Sequence, residues 1–123
     1  MSPAHRRVRD LEKSGAIAGY RAMIDPEQVG LGFEALVFVT MNQEHRASLL
    51  AFEDQVAKVP NVITAQRLFG DPDYLLRVRT ADMDAYARLQ DEVLGVLPGV
   101  QRLTSTLVMR TIVEDRPYPT GLR

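Results

Sequence analysis

The sequence predicts an α+β domain in which two helices cover one face of a four-stranded antiparallel sheet. Three observations lead there. From residue 33 onward the periodicity runs strand, helix, strand, strand, helix, strand. The two middle strands are separated only by Gly70-Asp71-Pro72-Asp73, which is hairpin chemistry. The strand-helix-strand half then occurs twice, the split β-α-β order of ferredoxin-like domains. A basic helix and a short extended run precede this unit.

Composition sets the outer bounds. A chain of 123 residues is one ordinary domain with a short appendage, and folding at that size buries roughly two-thirds of the chain's surface. With 46% hydrophobic and 25% charged residues, it reads as globular. The absence of cysteine removes disulfides, thiolate zinc sites and cysteine nucleophiles together, and fits a reducing cytoplasm. Basic residues near the N-terminus have no apolar segment behind them, so they do not read as a signal peptide. The longest unbroken apolar run, 35–39, is far too short for a bilayer. The net charge of −1 divides unevenly, with +3 over the first 24 residues and −4 over the rest. A basic end on an acidic body suggests two tasks.

Residues 4–13 predict a helix with Val8 and Leu11 on one face and Arg6, Arg7, Arg9 and Lys13 around the rest; Gly15 is placed to end it. It is too short to stand alone, so docking is expected. Residues 17–24 predict an extended run, ended by Asp25-Pro26 and a turn through Gly30 and Gly32. Residues 33–41 predict the clearest strand. Phe33, Ala35, Val37, Val39 and Met41 share one face, and Leu36 and Phe38 lie on the other. Two apolar faces imply that both are covered, one by helices and the second by a partner chain.

A helix is expected over 44–59, with Leu49, Phe52, Val56 and Val59 as its stripe. Strands follow at 62–69 and 74–80, with Pro72 in the first central position of a type I turn between them. Asp82 is set to cap a helix whose stripe is Met83, Tyr86, Leu89 and Val93. After Leu97-Pro98-Gly99, residues 100–114 predict a long last strand, and a turn-rich tail ends the chain.

Catalytic and metal-binding patterns are sparse. His5 and His45 lie in different segments without a second histidine at ligand spacing. Asp71 and Asp73 are too few for a calcium loop, so no metal or cofactor is expected. Ser48 and Ser105 sit in no nucleophile motif, and Gly30-Leu31-Gly32 lacks the lysine and third glycine of a phosphate loop. Arg67, Arg77 and Arg79 are readable as a solvated face, as intersubunit ion pairs, or as a carboxylate clamp. The basic helix is readable as a solvated surface or as a DNA contact through Arg6, Arg7 and Arg9.

Several of these stretches together resemble one family. Residues 7–20, Arg-Val-Arg-Asp-Leu-Glu-Lys-Ser-Gly-Ala-Ile-Ala-Gly-Tyr, are similar to the end of the recognition helix and the following strand of the Lrp/AsnC (feast/famine) transcriptional regulators. Asp25-Pro26 and Gly30 continue the pattern, Gly70-Asp71-Pro72-Asp73-Tyr74 resembles the family's G-D-x-D-Y hairpin, and residues 82–86 and 97–100 also fit. The resemblance implies a remnant of a helix-turn-helix at 1–15, a linker strand and turn at 16–32, and a ferredoxin-like effector and oligomerisation domain of the dimeric α/β-barrel type at 33–123. It implies homodimers that pair their open sheet faces and assemble into octamers or similar rings. An amino-acid effector would bind between dimers, lined by Gly70, Asp71, Asp73 and Tyr74 with Met83, Thr104 and Thr106 nearby. It implies no catalysis, no membrane and a cytoplasmic location. The family's first DNA-binding helices have no counterpart here, so the expectation is weak or absent DNA binding and truncation of some kind, the alternatives being a mis-started reading frame or a natural stand-alone domain. Two other readings remain: a small ferredoxin-like enzyme of the monooxygenase kind, and a ligand-binding or purely structural oligomerisation module without DNA binding.

Overall fold

The computed structural model describes residues 2–42 and 45–121. Helix α1 spans Pro3–Ser14. The Ser2 side chain accepts from the His5 N–H, and Gly15 ends the helix at φ 84°, the left-handed cap that glycine takes without steric cost. The expected docking of this helix is not seen among the described residues, because none of its side chains is buried. Residues 18–25 have no ladder partner within the chain, so the predicted linker strand is extended sequence without a sheet to join. A short 3-10 helix follows at Pro26–Val29, capped by Asp25.

The sheet and its helices then appear in the predicted order. Strand β1 is Phe33–Met41, α2 is Arg46–Val56, β2 is Val62–Arg67, β3 is Tyr74–Thr80, α3 is Met83–Glu92 and β4 is Val100–Leu107. The expected start of α2 at Glu44 lies outside the described residues. Strand order is β2-β3-β1-β4, with every pairing antiparallel. β4 stops seven residues earlier than the 100–114 run predicts. β1 begins at Phe33, and Ala35 already pairs with Leu107, so beyond one bond from the Val108 N–H to the Glu34 carbonyl the partner strand runs out.

Register sorts the two faces. Ala35, Val37 and Val39 lie opposite Val78, Leu76 and Tyr74, and all six are buried under the helices with Phe52, Val56, Tyr86 and Leu94. This layer is filled by apolar side chains, which is the main stabilising term of so small a domain. The Phe52 and Tyr74 rings pack with centroids 4.5 Å apart. On the α3 side, Phe33 packs on Tyr86 at 5.8 Å, and the Tyr86 hydroxyl lies 2.5 Å from Ser105 Oγ on β4. Met83 does not join the α3 stripe. It occupies the first turn of the helix and is 61% exposed.

The opposite face is apolar only at its centre. Leu36, Phe38 and Leu75 lie there, half-buried in the single chain, with Phe38 directly opposite Leu75. One end of the face is charged: Glu34 is buried, and Arg79 and Arg77 face it from β3. Among the described residues no helix is long and apolar enough to cross a membrane.

Candidate functional site

The β2–β3 hairpin combines an exposed tip with a fixed base. Phe69, Gly70 and Asp71 are exposed, and Gly70 sits at φ 142°, a conformation that side chains rarely adopt. The Asp71–Pro72 peptide is cis. The turn closes through the Leu68 N–H, which donates to the Asp73 carbonyl at 2.8 Å.

Behind the tip, the base is held to two other elements. Asp73 faces β1: its Oδ2 accepts the Met41 N–H at 2.7 Å, and its own N–H donates to the Val39 carbonyl at 2.9 Å. The carboxylate thus satisfies a backbone donor where the ladder ends, which a half-buried N–H requires. Tyr74 faces α2. Its ring is buried and its hydroxyl donates to Glu53 Oε2 at 2.6 Å. Arg67 donates to the same oxygen through Nε at 2.6 Å and also pairs through Nη2. Arg67 and Tyr74 are themselves register partners at the two feet of the hairpin.

Charge states follow from this packing. Burial, and then the hydrogen bond to Glu53, pushes the Tyr74 phenol up to about 12. The Tyr74 hydroxyl and the Arg67 guanidinium hold the Glu53 carboxyl below its usual value. Arg67 is raised in turn by the Glu53 hydrogen bond. The trio is therefore a phenol donating to a carboxylate that is also paired to a cation, fixed across the neutral range.

The remaining sequence-predicted residues are spread over the domain. Met83 follows the far end of β3, which is roughly 20 Å long at seven residues. Thr104 and Thr106 are exposed on edge strand β4, opposite Phe38 and Leu36, with β1 and β3 between them and β2. One chain therefore brings together Gly70, Asp71, Asp73 and Tyr74 but not Met83, Thr104 or Thr106. Within the four, Asp73 and Tyr74 spend their polar atoms on β1 and α2, leaving Gly70 and Asp71 exposed at the tip. Arg6, Arg7 and Arg9 are exposed on α1, where Arg6 and Arg7 border a shallow open hollow with Pro3, Asp10, Leu11 and Ser14.

Arg77 and Arg79 are engaged within the chain. Arg77 pairs with Glu34 through Nε and with Glu114 at 2.9 Å. Arg79 lies 3.5 Å from Glu34 and donates to the Leu31 carbonyl at 3.2 Å. Among the described residues no group of three or more His, Cys, Asp or Glu is clustered as metal ligands are. Sequence reasoning missed Glu53. The one available signal was its position beside Phe52, which puts a carboxylate at the border of the buried helix face.

Comparison with known proteins identifies the family. A family model described as the Lrp/AsnC ligand binding domain matches residues 34–118. The proline dehydrogenase transcriptional activator of Rhodobacter capsulatus is 35% identical over 114 residues, covering 93% of this chain and 74% of that protein. A transcriptional regulator of Neisseria meningitidis, solved as its L-Met complex, is 31% identical with a TM-score of 0.80, over 99% of this chain and 76% of that one. A feast or famine regulatory protein from M. tuberculosis, complexed with L-methionine, is 29% identical with a TM-score of 0.79, over 93% and 75% respectively.

Proposed function

Since the chain belongs to the Lrp/AsnC family and carries its ligand-binding domain, we propose that it is the effector-sensing and oligomerising part of a transcriptional regulator, with an amino acid or close analogue as its effector. The observation that carries this reading is the hairpin: a tip with an exposed glycine and carboxylate on a base fixed by Asp73 and Tyr74. A ligand ammonium suits the Asp71 carboxylate, and open backbone near Gly70 suits a ligand carboxylate. Two similar regulators solved with L-methionine support the ligand class.

In this reading Gly70 and Asp71 meet the effector, and Asp73 and Tyr74 hold them in place. Met83, Thr104 and Thr106 come to the same site only from neighbouring copies, which makes binding and assembly one equilibrium. Homodimers pair the open sheet faces across Leu36, Phe38 and Leu75, and dimers join into an octamer or similar ring. The domains divide as 1–15, the end of a DNA-binding helix carrying Arg6, Arg7 and Arg9; 16–32, a linker strand and turn that finds its sheet in the dimer; and 33–123, the effector domain. The protein works in the cytoplasm, without catalysis and without a membrane partner. DNA is the partner of the basic end, through backbone contacts.

A thermal-shift screen against the twenty amino acids, followed by calorimetry with L-methionine and any stronger hit, tests the proposal. Saturable binding that Asp71→Ala weakens is the expected result. No binding by any of the twenty to a correctly folded oligomer overturns it.

A further inference from the structure

Glu53 lies on α2, outside the hairpin and away from the residues that meet an effector, yet it grips both feet of that hairpin. One of its oxygens accepts from Arg67, the last residue of β2, and from Tyr74, the first residue of β3. Those two residues flank the 68–73 turn and oppose each other in register. The grip comes from the helix side of the sheet, whereas Asp73 ties the same turn to β1 through Met41 and Val39.

We infer that Glu53 is a positioning residue of the effector site, holding the Gly70–Asp71 tip in its binding geometry through Arg67 and Tyr74. The inference rests on the effector reading above and adds a residue to it. Three features carry it. The carboxylate joins α2, β2 and β3 at one oxygen. The phenol and guanidinium it holds are at the two points where the turn leaves the sheet. The glycine at φ 142° gives the tip backbone freedom of its own, so the feet are where its direction is set. A loop that binds a small ligand loses affinity steeply when its support is loosened, since the contacts must be re-formed from a wider ensemble.

The test compares the wild-type protein with Glu53→Ala, Glu53→Gln and Tyr74→Phe. Two quantities are read: L-methionine affinity by calorimetry, and amide hydrogen exchange at Leu68 and Asp73, normalised to Leu76 and Val78 in the middle of β3. Glu53→Ala is expected to weaken L-methionine about tenfold or more and to speed exchange at Leu68 and Asp73 relative to mid-strand. Glu53→Gln retains an acceptor for the Tyr74 hydroxyl and is expected to recover part of both losses. Adding Tyr74→Phe to Glu53→Ala is expected to cost little more than Glu53→Ala alone. A Glu53→Ala protein with a lower Tm but unchanged affinity and unchanged exchange ratio overturns the inference, as does full additivity of the two substitutions. If the wild type binds no amino acid, the effector reading fails separately, and the exchange ratio at Leu68 and Asp73 decides whether Glu53 positions the hairpin.

Discussion

The Tyr74 hydroxyl donates to Glu53 Oε2 across 2.6 Å, joining the first residue of β3 to the last turn of α2. The Tyr74 ring meanwhile packs on Phe52, the residue next to Glu53. One side chain therefore fixes α2 twice, by area and by a charge-assisted hydrogen bond. Removing only the second should be measurable. Tyr74→Phe keeps the ring contact and is expected to lower stability by about 1–2 kcal/mol at neutral pH, the usual range for a hydrogen bond to a charged but partly hydrated acceptor. Urea unfolding with an unchanged m-value checks it.

The same bond gives an alkaline signature. The folded phenol is pushed up to about 12 from its ordinary 10.0, so the folded state holds this proton more tightly than the unfolded chain does. The resulting stability is complete below pH 10 and is lost as pH rises from about 10 to 12. Ultraviolet titration of tyrosinate should therefore show a late step that Tyr74→Phe removes, and the alkaline fall in Tm should be shallower in that variant. Loss of a step near the ordinary value of 10.0 instead of the late one would mean that the phenol is solvated.

Asp71 and Asp73 differ by two positions and should behave in opposite ways. Asp73 Oδ2 holds the half-buried Met41 N–H at 2.7 Å, so Asp73→Ala is expected to cost about 1.5–3 kcal/mol of stability as well as effector response. Asp71 is exposed, so Asp71→Ala is expected to stay within about 0.5 kcal/mol of wild type while weakening effector binding. Thermal melts and calorimetry on the two variants separate support from contact. Equal stability losses would place both carboxylates in the frame.

Glu34 is the buried carboxylate of the open face, set between Arg77 and Arg79. Glu34→Ala leaves two guanidinium groups without their shared counter-charge. The expected cost is about 2 kcal/mol, because Arg77 retains Glu114 and both arginines keep part of their hydration. Glu34→Gln, which still accepts hydrogen bonds, is expected to lose less. Denaturant midpoints for the two variants provide the check, and equal losses would assign the whole effect to charge.

The legible and illegible parts of this fold have physical causes. β1 and β3 were bounded to the residue because strand-forming runs meet sharp boundaries, Gly32 before one and Ala81-Asp82 after the other. β4 and the 17–24 run were over-extended because strand-like composition says nothing about whether a partner strand is present; at Leu107 β1 has almost run out. Alternation also puts Tyr74 on the face of Leu76 and Val78, so its burial was readable, yet the hairpin motif drew attention to the tip instead. For Glu53 only its place beside Phe52 was readable; its partners were not, since the grip joins residues 53, 67 and 74 through packing that no local pattern encodes. Leu94 is fully buried just after α3, where the helical stripe that pointed to Val93 had already ended.

The open sheet face supplies the test of assembly. Phe38 and Leu75 lie opposite each other at its centre, with Leu36 beside them. If two copies pair these faces, Phe38→Asp puts a carboxylate from each copy into the joint, among Leu36, Leu75 and Thr104. Each carboxylate loses much of its hydration there and meets the like charge of the other copy, while Arg77, two residues from Leu75 on the same face, is already paired with Glu34 and Glu114. The penalty is about several kcal/mol per ion, whereas in a separated chain the half-exposed site lets water reach it. The substitution should therefore dissociate the dimer while leaving far-UV circular dichroism unchanged. Sedimentation velocity of the wild type is expected to show a dimer or larger species, and of Phe38→Asp a monomer. A variant that sediments as the wild type does would move the interface elsewhere, to the β2 or β4 edge or to the hairpin tip with its exposed Phe69.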